Sequence, residues 1–215
     1  MFEARTIIRH AGTVLVGQLA VMAFGVVDTL VAGRYSASAL AALSVGTAIY
    51  ISIYVSLNGL ITALLPVWAE LRGAGAHAAL GKSVRQALYL CLGVSFLGTL
   101  ALLFPDPWLN ATGVPESLQN DVRDYLLVLA IAEGPSLLFR MYSTLNQSLG
   151  MPLWVTVLQI AGLGLKIPLS IWFTLGGLGL PAQGVVGCAW ATLAVNTWLM
   201  LMGIYFLRSQ KVYQE

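Results

Sequence analysis

The sequence predicts an all-α fold: a polytopic membrane protein built as a bundle of six transmembrane helices. Of its 215 residues, 58% are hydrophobic and only 9% are charged, and the mean hydropathy is +0.82. A soluble domain carries about 25% charged residues because its surface must be wetted. This chain lacks such a surface, so lipid is its solvent. The apolar residues also fall into six stretches, each long enough for the roughly 20 residues that a crossing requires.

The expected spans are Ala11–Gly33, Ala39–Ala69, Ser83–Phe104, Val122–Leu145, Pro152–Leu175 and Gly184–Leu207. Arg5 and Arg9 precede the first. They resemble the start of a signal peptide, but the apolar segment behind them is long and carries Asp28, so it reads as a retained span. Arg34-Tyr35-Ser36 ends it. The second stretch is long enough to tilt or to leave the bilayer on one side. Arg72-Gly73-Ala74-Gly75 separates it from the third, and Pro105-Asp106-Pro107 opens a loop reaching about Asn120. Met151-Pro152 restarts the chain with proline at a favoured first-turn position. Gly176-Gly177 and Pro181 separate the last two spans. Trp68, Trp108 and Trp154 lie near span ends and read as interfacial anchors.

Lysine and arginine placement orients the bundle. With the N-terminus in the cytoplasm, Arg5, Arg9, Arg72, Lys82, Arg85, Arg140, Arg208 and Lys211 fall on the inner side, against Arg34 and Arg123 outside. Both termini are then cytoplasmic. The net charge of +2 and the lack of a basic run exclude nucleic acid as a partner. Cys91 and Cys188 show no metal-ligand or disulfide spacing, and His10 and His77 lie outside the spans. No metal and no resident cofactor are expected.

Four ionisable side chains remain at membrane depth: Asp28, Glu133, Arg140 and Lys166. Each costs about 2.5–3.5 kcal/mol at the bilayer centre, so such residues face a cavity or a partner. Arg140 is near enough to the cytoplasmic end to snorkel. Glu133 either pairs with Lys166 or faces a cavity. Counted from the turn near Met151, Glu133 lies about 18 residues back and Lys166 about 15 forward, so their depths agree within roughly 5 Å. Asp28, about 25 Å into a core of about 30 Å, has no cation nearby in its own helix. Pro135 and Pro168 interrupt the fourth and fifth spans close to Glu133 and Lys166. A mid-helix proline kinks the helix and frees a carbonyl, which membranes tolerate beside protein or a water-filled cavity. Gln18, Glu133, Lys166 and Asn196 are the polar residues expected to line that cavity. Gly17, Gly25, Gly93, Gly98, Gly162, Gly164 and Gly187 are expected to allow close helix packing.

Local sequences carry a resemblance. Gln18-Leu19-Ala20 and Gly25-Val26-Val27-Asp28-Thr29-Leu30-Val31-Ala32-Gly33 resemble helix 1 of the multidrug and toxic compound extrusion (MATE) transporters, NorM branch. Leu40-Ala41-Ala42-Leu43-Ser44-Val45-Gly46 resembles the start of that family's helix 2. Gly73-Ala74-Gly75 and Val84-Arg85-Gln86 resemble its loop into helix 3. Ile167-Pro168-Leu169 is similar to its helix 5, and the Gly184–Thr192 block to the start of helix 6. The matches run in family order over nearly the whole chain.

The resemblance implies an inner-membrane efflux protein for small cationic, amphipathic molecules, driven by inward flow of protons or sodium ions. It assigns ion coupling to Asp28. It also implies a second six-helix lobe as partner, since the family has twelve helices in two lobes. One departure is local. Family members often carry Asn or Asp around the helix 5 proline, where this chain has Lys166 and Ser170, so Lys166 is expected to compete with a cationic substrate or ion. Alternatives from other classes are a lipid-linked oligosaccharide flippase half and a non-transporting assembly protein. A flippase would line its cavity with more cations than Lys166 and Arg140. An intramembrane protease needs a serine with a membrane histidine or paired membrane aspartates, and this chain offers neither.

Overall fold

A computed structural model describes residues 2–177 and 179–209, with side chains from Ile7 onward. The Arg5 side chain and Lys211, counted on the inner side, lie outside the described residues. The helices are α1 (Phe2–Tyr35), α2 (Ala37–Thr62), α3 (Leu64–Gly73), α4 (His77–Leu103), α5 (Asp106–Thr112), α6 (Glu116–Ser148), α7 (Pro152–Leu175) and α8 (Val185–Ser209). Among the described residues, 6 helical segments are long and apolar enough to cross a membrane, α2 and α3 together making one of them. The six-span expectation holds, and the Pro152–Leu175 helix has the boundaries read from sequence.

Two expected details change. The second stretch is not one helix, because it breaks at Ala63. Pro66 has no N–H to give the Thr62 carbonyl, and its ring crowds that carbonyl, so the ladder is interrupted there. Trp68, fully buried, fixes α3 through an Nε1–H bond to Ser83 Oγ on α4 (3.0 Å). The outer loop is also not irregular. α5 forms at its start, with Pro107 in its first turn and Gly113 closing it at φ 62°. Arg123 on α6 pairs with Asp106 there.

α6 occupies the centre of the bundle. It packs against α8, α2 and α4, whereas α1 lies along α7 and α7 along α8. The share of buried residues follows: 67% of the most apolar window of α6, against 22% for the first span, whose outward face meets lipid. That centrality explains why α6 carries buried Ser136, Ser143, Thr144 and Asn146, since their polar atoms can turn to neighbouring helices or their own backbone. α7 and α8 cross closely at Gly187. A Cβ there would lie 2.5 Å from the Phe173 carbonyl carbon and oxygen, and backbone cannot yield as a side chain does.

Candidate functional site

A cavity of about 850 Å³ opens within the bundle, walled by α1, α2, α6, α7 and α8. Its wall is largely apolar and aromatic, with Phe24, Tyr50, Tyr54, Tyr125 and Phe139 among its residues. Only two of its lining residues carry full charges, Asp28 and Arg140. A cation entering this space meets one carboxylate and several ring faces, which attract positive charge in a desolvated site.

Asp28 sits on α1, where the helix faces α7 and α8, and is 7% exposed. Its two oxygens have different partners. Oδ2 is 2.9 Å from Lys166 Nζ, and Oδ1 accepts a hydrogen bond from Ser170 Oγ at 2.9 Å. Lys166 and Ser170 are one turn apart on α7, so both reach the same carboxylate. Lys166 Nζ also donates to Thr192 Oγ1 (2.5 Å) and to the Cys188 carbonyl (3.2 Å) on α8. Thr192 Oγ1 in turn donates to that same carbonyl at 2.9 Å. Thr174 Oγ1 and Cys188 Sγ lie 3.2 Å apart, closing a polar node among α1, α7 and α8. Lys166 is 0% exposed, and its ammonium has three partners, Asp28, Thr192 and the Cys188 carbonyl.

Lys166 therefore pairs with Asp28, not Glu133. The short α6–α7 connection suggests that these helices are neighbours along their length, but α7 lies instead against α1 and α8. Glu133 faces the opposite side of α6. Its Cγ and Oε1 lie 3.0 and 3.2 Å from where a Gly98 Cβ would stand, and Leu57 of α2 borders the same spot. A depth count does not separate the two candidates. Lys166 is roughly 22 Å from the start of α7, a depth within about 3 Å of that of Asp28 and about 5 Å of that of Glu133.

Of the residues expected to line the cavity, Asn196 does so, donating from Nδ2 to Ser136 Oγ at 2.7 Å. Gln18, Glu133 and Lys166 are not in its wall. Gln18 is half-buried and turned elsewhere on α1, while Glu133 and Lys166 stand behind the wall. Arg140 lines the cavity. Gln159, missed by the sequence reading, reaches the cavity from α7 over Gly17, where any Cβ would collide with its amide. The signal was the glycine: close approach at Gly17 leaves room for a long side chain opposite. Pro135 and Pro168 both lie inside their helices. Among the described residues, no group of three His, Cys, Asp or Glu side chains is placed to hold a metal.

Known proteins resemble this chain throughout. The MatE family model matches residues 14–172. A probable multidrug resistance protein NorM of Aromatoleum aromaticum is 34% identical over 98% of this chain and 46% of its own length. A multidrug resistance protein NorM of Vibrio vulnificus is 34% identical over 99% of this chain and 47% of its own length. The multidrug resistance protein PmpM of Pseudomonas aeruginosa is 33% identical over 95% of this chain and 43% of its own. Among solved structures, the outward-facing conformation of a multidrug resistance MATE family transporter of the MOP superfamily superposes with a TM-score of 0.87. It is 21% identical and covers 96% of this chain and 45% of that one. A MOP superfamily transporter from Pyrococcus furiosus, described as having a binding pocket of reverse polarity, gives a TM-score of 0.86 at 21% identity, covering 95% of this chain and 44% of that one. The chain spans about half the length of the curated relatives it matches.

Proposed function

Because this chain belongs to the MatE family of non-enzymatic membrane transporters, we propose that it is one lobe, the N-terminal one, of a secondary antiporter exporting cationic, amphipathic molecules. Inward flow of protons or sodium ions drives the export. The observation that carries this reading is the cavity: about 850 Å³, aromatic in lining, with Asp28 as the carboxylate in its wall. Asp28 is the coupling group. An antiporter needs a carboxylate that holds either the driving ion or the substrate charge, and not both together. The flippase alternative loses ground, because Lys166 is neutralised behind the wall and Arg140 is the lining cation that remains.

In this reading a second six-helix lobe completes the transporter. Six crossings return the chain to its starting side, so another lobe can follow in the same orientation, related by an axis along the membrane normal. The chain expressed alone is expected to give no drug resistance. Robust efflux from preparations shown to be strictly monomeric would overturn the reading. Drug-dependent proton or sodium flux in proteoliposomes of the complete protein is the direct test.

The lobe sits in the bacterial inner membrane with both termini cytoplasmic, supported by the lysine and arginine asymmetry. A phosphatase that works only in the periplasm, fused after Gln210, should be inactive. Activity there would reverse the orientation.

A further inference from the structure

Two carboxyls lie deep in the bundle, and their surroundings differ. Asp28 comes with a built-in cation in Lys166. Glu133 has none. It is 0% exposed, its two oxygens take no well-formed hydrogen bond, and it is wedged between Gly98 of α4 and Leu57 of α2. An ionised carboxylate held there would have no counter-ion, a state that burial penalises heavily. A protonated carboxyl would not.

Tyr50 of α2 comes within interaction range of Glu133, with no hydrogen bond formed between them. Tyr50 belongs to the cavity wall, as does Ser136, to which Asn196 donates from α8. Tyr50 thus stands between Glu133 and the cavity, with a hydroxyl that can relay a proton once the two groups close to bonding distance. We propose that Glu133 is a second proton site of this lobe, separate from Asp28, loaded and emptied from the cavity through the Tyr50 hydroxyl.

In the emptying step the Glu133 O–H bond breaks and its proton passes to Tyr50 Oη. The Tyr50 hydroxyl releases its own proton to cavity water, and loading runs in reverse. The ligand is a proton and not a divalent metal ion. A hard divalent ion takes about six oxygens, and here one carboxyl and one phenol share the space with Leu57 and Gly98.

The groups that bias the site come from every neighbouring helix. Tyr54 of α2 is in electrostatic reach of Glu133, Arg140 of α6 and Cys91 of α4. Asn196 supplies α8's neutral contact. Glu70 and Arg72 of α3 lie at the far end, where Arg72 bonds the Leu149 carbonyl. Lys166 of α7 is committed to Asp28.

This site deepens the reading of the chain as an ion-coupled lobe, but its test does not need transport. In the full-length protein in lipid nanodiscs, infrared titration should show a buried carboxylic-acid C=O band that disappears as pH rises and is assigned to Glu133. Glu133→Gln should remove that band, and the Asp28→Asn/Lys166→Met double variant should keep it. Tyr50→Phe should keep the band but slow its hydrogen–deuterium exchange by about a hundredfold. In the unmutated protein, an apolar carbodiimide should label Glu133, and raising the pH should suppress that labelling. A band that survives Glu133→Gln, or the absence of both band and label, would overturn the proposal. Unchanged exchange in Tyr50→Phe would overturn the route. Failed drug efflux with the band intact counts against the transport reading alone.

Discussion

Lys166→Met is expected to destabilise the protein by about 3–5 kcal/mol, the cost of leaving a buried charge without its partner. The methionine fills most of the same volume, so the loss is electrostatic. Asp28 would keep the Ser170 hydrogen bond and lose the ammonium 2.9 Å away. Adding Asp28→Asn should recover most of the loss, since a neutral pair needs no counter-ion. Unfolding of the single and double variants in mild detergent measures this directly. Additive losses in the double variant would mean that the ion pair is not what stabilises the α1–α7–α8 node.

The second large effect is on transport. In the complete protein, replacing Asp28 with Asn should abolish coupled efflux. Alone, that change is a poor experiment. It strands the Lys166 ammonium on Thr192 and the Cys188 carbonyl, so lost activity and lost fold arrive together. The informative variant is Asp28→Asn with Lys166→Met, which keeps the node neutral and packed. It should insert normally, retain the cavity and export no drug in proteoliposomes under an imposed proton or sodium gradient. Lys166→Met by itself should retain some export if folded, because the carboxylate is still there. Normal, normally pH-dependent efflux from the double variant would strip Asp28 of its coupling role and leave it as a structural aspartate.

The six spans were legible because lipid leaves a long, uniform signal that neighbouring residues cannot mask. Turns marked by proline and glycine, such as Met151-Pro152, were legible for the same local reason. What escaped was non-local. The break at Ala63 follows from Pro66, but its effect was hidden within a long apolar run. α5 is 7 residues long, too short for periodicity to separate it from loop. At the site, the four deep ionisable residues could be named individually, yet chain adjacency suggested the wrong partner for Lys166. Which helices touch is decided by close-packing positions such as Gly17 and Gly187, where two backbones or a long side chain approach. A glycine seen in sequence says that something comes near and not what it is.

The Asp28–Lys166 pair also limits how a lineage can change. A gene drifting by single substitutions meets the full cost of an orphaned charge at its first step, whichever of the two codons changes. Proteins near their stability threshold do not survive such a step unless another change has already added stability. The two codons are thus inherited as one character, and divergence at the pair should come as paired replacements on backgrounds already stabilised elsewhere.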